Sequence, residues 1–224
     1  MKSDEALALK ALEKDRLFEM VLQHVPFDGW GSKSLQAAAA DLGMTPITAR
    51  RLFPQGQESL LAWLGDWLDR QAARRLADEN LERQRIRQRI ARLVAVRLEV
   101  LARHKEAMRR AVAAGALPRN LYATSRRIWA GADDMWRMAG DQGTSRELDY
   151  WTRRGLLSAV WVSTFLFWLE DRSEGDAETR AFLDRRIDNV MTVARLKGRV
   201  ESMVRGLPGL RVFLREPPAG GYRS

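Results

Sequence analysis

Cysteine is absent from the 224 residues, so disulfides, thiolate metal sites and a cysteine nucleophile are excluded together. A reducing compartment is the expectation that follows. Histidine is scarce as well. Only His24 and His104 occur, and neither has a glutamate three residues before it, so the Glu-x-x-His pairs of a di-iron carboxylate bundle are missing. The chain has no phosphate-cradling glycine loop and no serine in a nucleophile elbow. Adjacent carboxylates such as Asp133 and Asp134 read as solvated helix charges or caps. A non-enzyme with no metal and no cofactor is expected.

A long hydrophobic run is missing too. The stretch GLLSAVWVSTFLFWL, residues 155–169, stays uncharged for fifteen residues, short of the roughly 18 to 20 that a bilayer span requires. Arg153 and Arg154 precede it and Glu170, Asp171 and Arg172 follow it. Drawing them into lipid would cost about 2.5 to 3.5 kcal/mol each. Two readings remain: a helix buried on nearly all sides, or a helix lining something apolar that the protein carries. The opening MKSDEALALKALEKDRLFEM carries charges every few residues in place of a signal peptide's apolar core, which predicts a cytoplasmic protein.

What the chain does have is helical periodicity. Hydrophobic residues make up 46% and charged ones 30%, and the two alternate at helical spacing nearly throughout, so the fold class is all-α. The net charge of +9 favours a polyanion, either nucleic acid or an anionic membrane surface. Most of that surplus lies in residues 85–110, where nine basic residues face two acidic ones. There Ile86, Ile90, Leu93, Val94 and Leu101 form an inward stripe, with Arg85, Arg92, Arg103 and Arg110 on the other side. Such a helix reads first as a solvated face. Its attraction to anionic lipid, about 1 kcal/mol per basic residue, is a supporting contribution.

A first helix is predicted over residues 4–24, with Leu9, Leu12, Leu17, Met20 and Val21 as its apolar stripe, ended by PFDGW. A short helix over 34–43 and a second one capped by Thr45, with Pro46 in its first turn, form a helix-turn-helix. Ala39, Gly43, Ala49 and Leu52 fall at its contact, turn and core positions. A helix from about residue 57 brings Leu60, Leu61, Trp63, Leu64, Trp67 and Leu68 inward. The basic helix follows, broken at Gly115 and Pro118, and then a helix carrying Trp129 and Trp136 on one face. The uncharged run comes next. A final long helix changes character near Arg195, beyond which an apolar stripe is flanked by Lys and Arg.

This order, a three-helix head with a helix-turn-helix and a larger helical body, resembles the TetR-type repressor architecture. Four blocks, VPFDGW, LARHKEAMRRAV, WTRRGLLSAVWVSTFLFWLEDRS and AFLDRRIDNVM, together resemble the ubiquinone-biosynthesis accessory family. That resemblance covers roughly residues 15–198. It implies a TetR-like fold, a homodimer, and a lipid-binding partner of the quinone ring hydroxylase rather than a repressor. The family's acidic residue and Trp-Tyr pair before the Thr-basic-Arg triplet correspond to Glu147, Tyr150 and Trp151, with the two aromatics in reversed order.

The expected division is a head over 1–56, a ligand-binding body over 57–194, and an amphipathic helix and tail over 195–224. The lipid pocket is expected at Trp129, Met135 and Trp136 on one helix and at Leu156, Val160, Trp161 and Phe165 on the next, with Ser158, Ser163 and Thr164 available to orient a quinone-like head group. The surface toward a membrane-associated quinone hydroxylase is expected at Glu147, Tyr150, Trp151 and Arg154. The membrane-facing stripe is Leu196, Val200, Met203, Val204 and Leu207 with Lys197 and Arg199 beside it. The guest is a hydrophobic quinone precursor or another isoprenoid lipid, and the protein is peripheral on the inner face of the membrane. Nucleic acid is not an expected partner. Of TPITARRLF, only Thr45, Thr48, Arg50 and Arg51 could reach base edges, and the Lys and Tyr common there in TetR-type repressors are missing. The competing reading is a TetR-type repressor answering to a hydrophobic ligand.

Overall fold

The computed structural model describes residues 2–117, 120–140 and 147–205; of residues 2–4, 6, 7, 121, 147–153, 191 and 193–205 only the backbone is described. The described residues form α-helices joined by short turns, without a strand, as the periodicity predicts. The helices are α1 (Lys2–Asp28), α2 (Ser32–Asp41), α3 (Pro46–Leu52), α4 (Gln57–Leu76), α5 (Ile86–Leu101), α6 (Lys105–Gly115), α7 (Leu121–Met138), α8 (Glu147–Glu170) and α9 (Ala177–Arg205).

The helix-turn-helix forms where expected. Ala39, Ala49 and Leu52 are buried, and Gly43 takes φ 65° at the turn, a conformation that disfavours any residue with a Cβ. Thr45 caps α3, its Oγ1 accepting from the Thr48 N–H at 3.2 Å and lying 2.9 Å from the Thr48 hydroxyl. The two threonines that could have reached base edges thus engage each other. Between them Ile47 stands 66% exposed.

Two predicted helices depart from the sequence reading. Helix α1 runs through Pro26 to Asp28, about one turn past the expected end at residue 24, and stops before Gly29, whose φ is 73° and whose N–H reaches the Val25 carbonyl at 2.9 Å. Leu9 and Leu12 are 62% and 54% exposed, because only the second half of α1 packs on neighbouring helices. The basic helix is two helices, α5 and α6, separated by a tight 3-10 turn at Ala102–His104. No glycine or proline marks that bend. It is imposed by packing: the Trp30 indole donates to the Ala107 carbonyl at 3.0 Å, and His104 sits edge-on to Trp67 at 6.2 Å.

One apolar core spans the head and the helices beyond it. Phe18 meets Trp30, Phe53 and Trp67 at 6.1, 6.3 and 5.5 Å between ring centroids, and the same cluster includes Leu98, Met108 and Trp168. Polar ties fix α1 against α4. Asp15, itself buried, accepts from the Trp63 indole at 2.9 Å and from Arg70 at 2.5 and 3.0 Å. Glu19 accepts from the Trp67 indole at 3.1 Å and from Gln71 at 3.0 Å. Lys14 lies over the Trp63 ring at 3.9 Å, and burial there lowers its pKa. A second core joins α4, α5, α7, α8 and α9 through residues such as Leu93, Met135, Val160 and Ile187.

The turn from α8 into α9 is organised by Asp171. This buried carboxylate accepts from the Ser173 N–H at 2.8 Å, the Thr179 N–H at 2.8 Å and the Thr179 hydroxyl at 2.5 Å. Beside it Lys105 donates to the Asp171 carbonyl at 2.7 Å and reaches Asp176, which also accepts from the Trp168 indole at 3.1 Å. Burial pushes the Asp171 carboxyl up, but the hydrogen bonds from Ser173 and Thr179 outweigh it and hold the group well below the usual carboxylate range. A carboxyl depressed on folding stabilises fully above its unfolded pKa of about 4 and loses that contribution as pH falls through the lower folded value. Asp171→Asn is therefore expected to lower the urea midpoint at neutral pH. The gap to wild type should narrow progressively below about pH 4; a gap that stays constant down to strong acid would remove the role given to the carboxylate charge.

Candidate functional site

Helices α4 to α8 surround an apolar cavity of about 340 Å³, at the lower end of the roughly 300 to 1,000 Å³ typical of small-molecule pockets. From α4 come Leu61, Leu64, Gly65 and Leu68; from α6, Met108, Ala111 and Val112; from α7, Ile128, Gly131 and Met135; from α8, Trp161, Val162, Phe165 and Leu166. Trp161 and Phe165 lie side by side, their centroids 5.5 Å apart.

Two glycines explain why a gap persists among helices otherwise closely packed. Gly65 and Gly131 lie inside α4 and α7, and a Cβ built on either would meet nothing within 4 Å. An interior helical glycine costs about 1 kcal/mol relative to alanine. Here it keeps open a space that side chains would fill.

The wall carries three charged groups, Asp69, Arg97 and Arg127. Arg97 is 2% exposed. Its guanidinium donates to Asp69 at 2.5 and 3.1 Å and to the Leu93 carbonyl at 3.0 Å, so the buried charge is matched. Arg127, half-buried, makes no hydrogen bond or ion pair with the described residues. It also lines a second, more polar recess of about 380 Å³, bounded by Gln55, Gln57, Glu58, Asn120 and Ala123. Leu61 and Arg127 belong to both spaces.

Of the seven residues expected in the pocket, the structure brings Met135, Trp161 and Phe165 to the cavity. Val160 is buried in the second core, and Trp136 packs against that core. The Trp129 ring packs toward Gly155 of α8, where an added Cβ would meet it at 4.0 Å. Neither these three nor Leu156 borders the cavity. Ser158, Ser163 and Thr164 do not line it either: Ser163 donates to the Val160 carbonyl at 3.2 Å, while the buried Ser158 and Thr164 hydroxyls have no partner among the described residues. Sequence reasoning missed the α4 and α6 walls, both glycines, Arg97, Asp69 and Arg127.

Arg154, grouped by sequence with the partner surface, is 4% exposed and donates to Asp133 of α7, linking the two helices inside the chain. The side chains of Glu147, Tyr150 and Trp151 lie outside the described residues, as do those of Leu196, Lys197, Arg199, Val200, Met203 and Val204 and the whole of Leu207.

The basic segment is largely neutralised within the fold. Arg87 pairs with Asp188 at 3.0 Å, Arg109 and Arg110 reach Glu106, and Arg89 donates to the Gln84, Ala139 and Glu82 carbonyls. Arg92 binds Glu79 and Glu99, each at 2.7 Å. The Arg92 hydrogen bond holds the Glu79 carboxyl below its ordinary pKa and is the main cause of the raised Arg92 value.

A helix-turn-helix head on a helical body that encloses an apolar cavity is a TetR-like fold. The chain matches a TetR transcriptional regulator from Nitrosomonas europaea ATCC 19718 with a TM-score of 0.65 and 19% identity, covering 80% of this chain and 98% of that one. At that identity the likeness establishes the fold alone.

The sequence relatives are more specific. Residues 121–194, which hold α7, α8 and the first part of α9, match the COQ9 family model. The chain is similar to the human ubiquinone biosynthesis protein COQ9, mitochondrial, with 29% identity over 211 residues, 89% of this chain and 65% of that protein. The rat protein of the same name is 29% identical over 210 residues, 89% of this chain and 67% of that one. A probable ubiquinone biosynthesis protein coq9 from Dictyostelium discoideum is 27% identical over 201 residues, 85% of this chain and 64% of that one. The chain thus spans about two thirds of the length of these relatives. The resemblance read from four sequence blocks is borne out. These relatives are named mitochondrial; among the described residues here, no helix is long and apolar enough to cross a membrane.

Gly131→Leu should fill the cavity from α7 while replacing a poor helix former with a good one. The expected result is a thermal midpoint at or above that of wild type together with loss of N-phenylnaphthylamine fluorescence enhancement. Enhancement equal to wild type would show that the probe, and the cavity, had been misplaced.

Proposed function

We propose that this protein is a non-catalytic accessory protein of ubiquinone biosynthesis that holds a hydrophobic quinone precursor, or another isoprenoid lipid, and presents it to a membrane-associated quinone hydroxylase. The observation that carries the reading is the apolar chamber with Gly65 and Gly131 facing open space, in a chain similar to proteins named for ubiquinone biosynthesis. Dispersion and desolvation favour a hydrocarbon guest there, because its walls offer almost no hydrogen-bonding groups.

Presentation is assigned to the helix that lines the chamber. Helix α8 supplies Trp161 and Phe165 to its wall, and its first turn carries Glu147 and Tyr150, with Trp151 next, as the proposed docking surface for the hydroxylase. Arg154, one turn further on, would act on that surface indirectly by fixing the start of α8 to Asp133. The later turns of α9, with Leu196, Lys197, Arg199, Val200, Met203, Val204 and then Leu207, are proposed to lie on an anionic membrane surface in a homodimer peripheral to that membrane.

Organic extraction of the purified protein followed by mass analysis tests the cargo directly. An isoprenoid quinone or precursor is expected from wild type and should be depleted in Gly131→Leu. Recovery of no lipid from wild type, including protein incubated with isoprenoid-containing membranes, would defeat the reading.

A further inference from the structure

The apolar chamber and the polar recess meet at Arg127, and that junction bears on what kind of molecule the site takes. Most arginines of α5 and α6 have a carboxylate or carbonyl partner within the fold. Arg127 has none among the described residues, although it is half-buried and borders a chamber whose walls are otherwise nearly all hydrocarbon. Holding a guanidinium there without a partner is unfavourable, and an arriving anion would reverse that. The chamber's other cation, Arg97, is already matched by Asp69, so among the described lining residues the unmatched cation is Arg127, at the recess.

The recess fits a small polar head. Gln55 and Gln57 offer amides along its wall beside Asn120, whose Nδ2 also donates to the Ala114 carbonyl at 2.7 Å, and it lies where α4 and α7 begin, so the positive ends of both helices favour negative charge. Glu58 also borders it. That carboxylate sits exposed in the first turn of α4, where it would repel a doubly charged phosphate more than a singly charged carboxylate.

We propose that the guest is a single-tailed amphiphile with a carboxylate head, its hydrocarbon in the chamber among Met108, Met135, Trp161 and Phe165 and its carboxylate on Arg127 in the recess. This rests on the cavity being a lipid site, as argued above, and adds the direction in which the lipid lies and the charge of its head. An acidic, prenylated or alkylated precursor would be held, and the same molecule after loss of its acid would be released more readily.

The test uses cis-parinaric acid and its methyl ester, which share a fluorescent tail and differ in head charge, titrated into the whole protein at neutral pH. Wild type should bind the acid about tenfold more tightly than the ester, as one charge-assisted hydrogen-bonded pair allows. Arg127→Met should weaken the acid to the level of the ester and leave the ester unchanged, and Arg127→Lys should recover part of the difference. Equal affinities for acid and ester in wild type, or an undiminished preference in Arg127→Met, would overturn the proposal while leaving the lipid site standing. Failure of both probes to bind wild type, or unaltered binding of both to Gly131→Leu, would instead bring down the lipid site and the head-group assignment with it.

Discussion

The structure depends on two carboxylates one helical turn apart. Asp15 and Glu19 on α1 receive the indole N–H groups of Trp63 and Trp67, also one turn apart, and then Arg70 and Gln71 from the next turn of α4. Matching spacings on two helices fix both register and rotation. A slip of α4 by one turn would leave Asp15 buried without its guanidinium. Once α4 is set this way, its other face, with Leu61, Gly65, Leu68 and Asp69, becomes one wall of the chamber. The head therefore takes part in shaping the cavity although none of its own residues line it.

The chamber itself is maintained against the tendency of helical cores to close. Interiors pack at the density of organic crystals, and an unfilled volume forfeits dispersion contacts. Gly65 and Gly131 add an entropic cost in helix interiors. A fold that carries both penalties without a guest has stability to recover by taking one up. This is the physical sense in which the chamber favours binding, while the buried Arg97 on its wall is matched by Asp69.

Much of the architecture was legible in the sequence. The heptad-like stripes located the helices, and Thr45, Pro46, Gly43, Ala39 and Ala49 gave the helix-turn-helix residue by residue, because turn and cap chemistry is local. The bend at Ala102–His104 was not legible, since the tertiary contacts of Trp30 and Trp67 impose it on a segment with no breaker. The pocket was half legible. Periodicity says which face of a helix is covered but not whether the covering neighbour leaves a void, and so Trp129 and Trp136, chosen for bulk, turned out to border no cavity. The informative residues were small ones, glycines at inward positions of α4 and α7. Arg97 also left a trace: it falls on the stripe of Ile90, Leu93, Val94 and Leu101, where a cation has to find a buried carboxylate.

The apolar core is continuous from Phe18 and Trp30 to Met108 and Trp168. In a protein whose head formed a separate module, its three helices could be removed without disturbing the body. Here those helices plug one end of the body, and removing them would expose Trp67 and Met108 to water. Head and body are thus expected to unfold as one cooperative unit rather than one after the other.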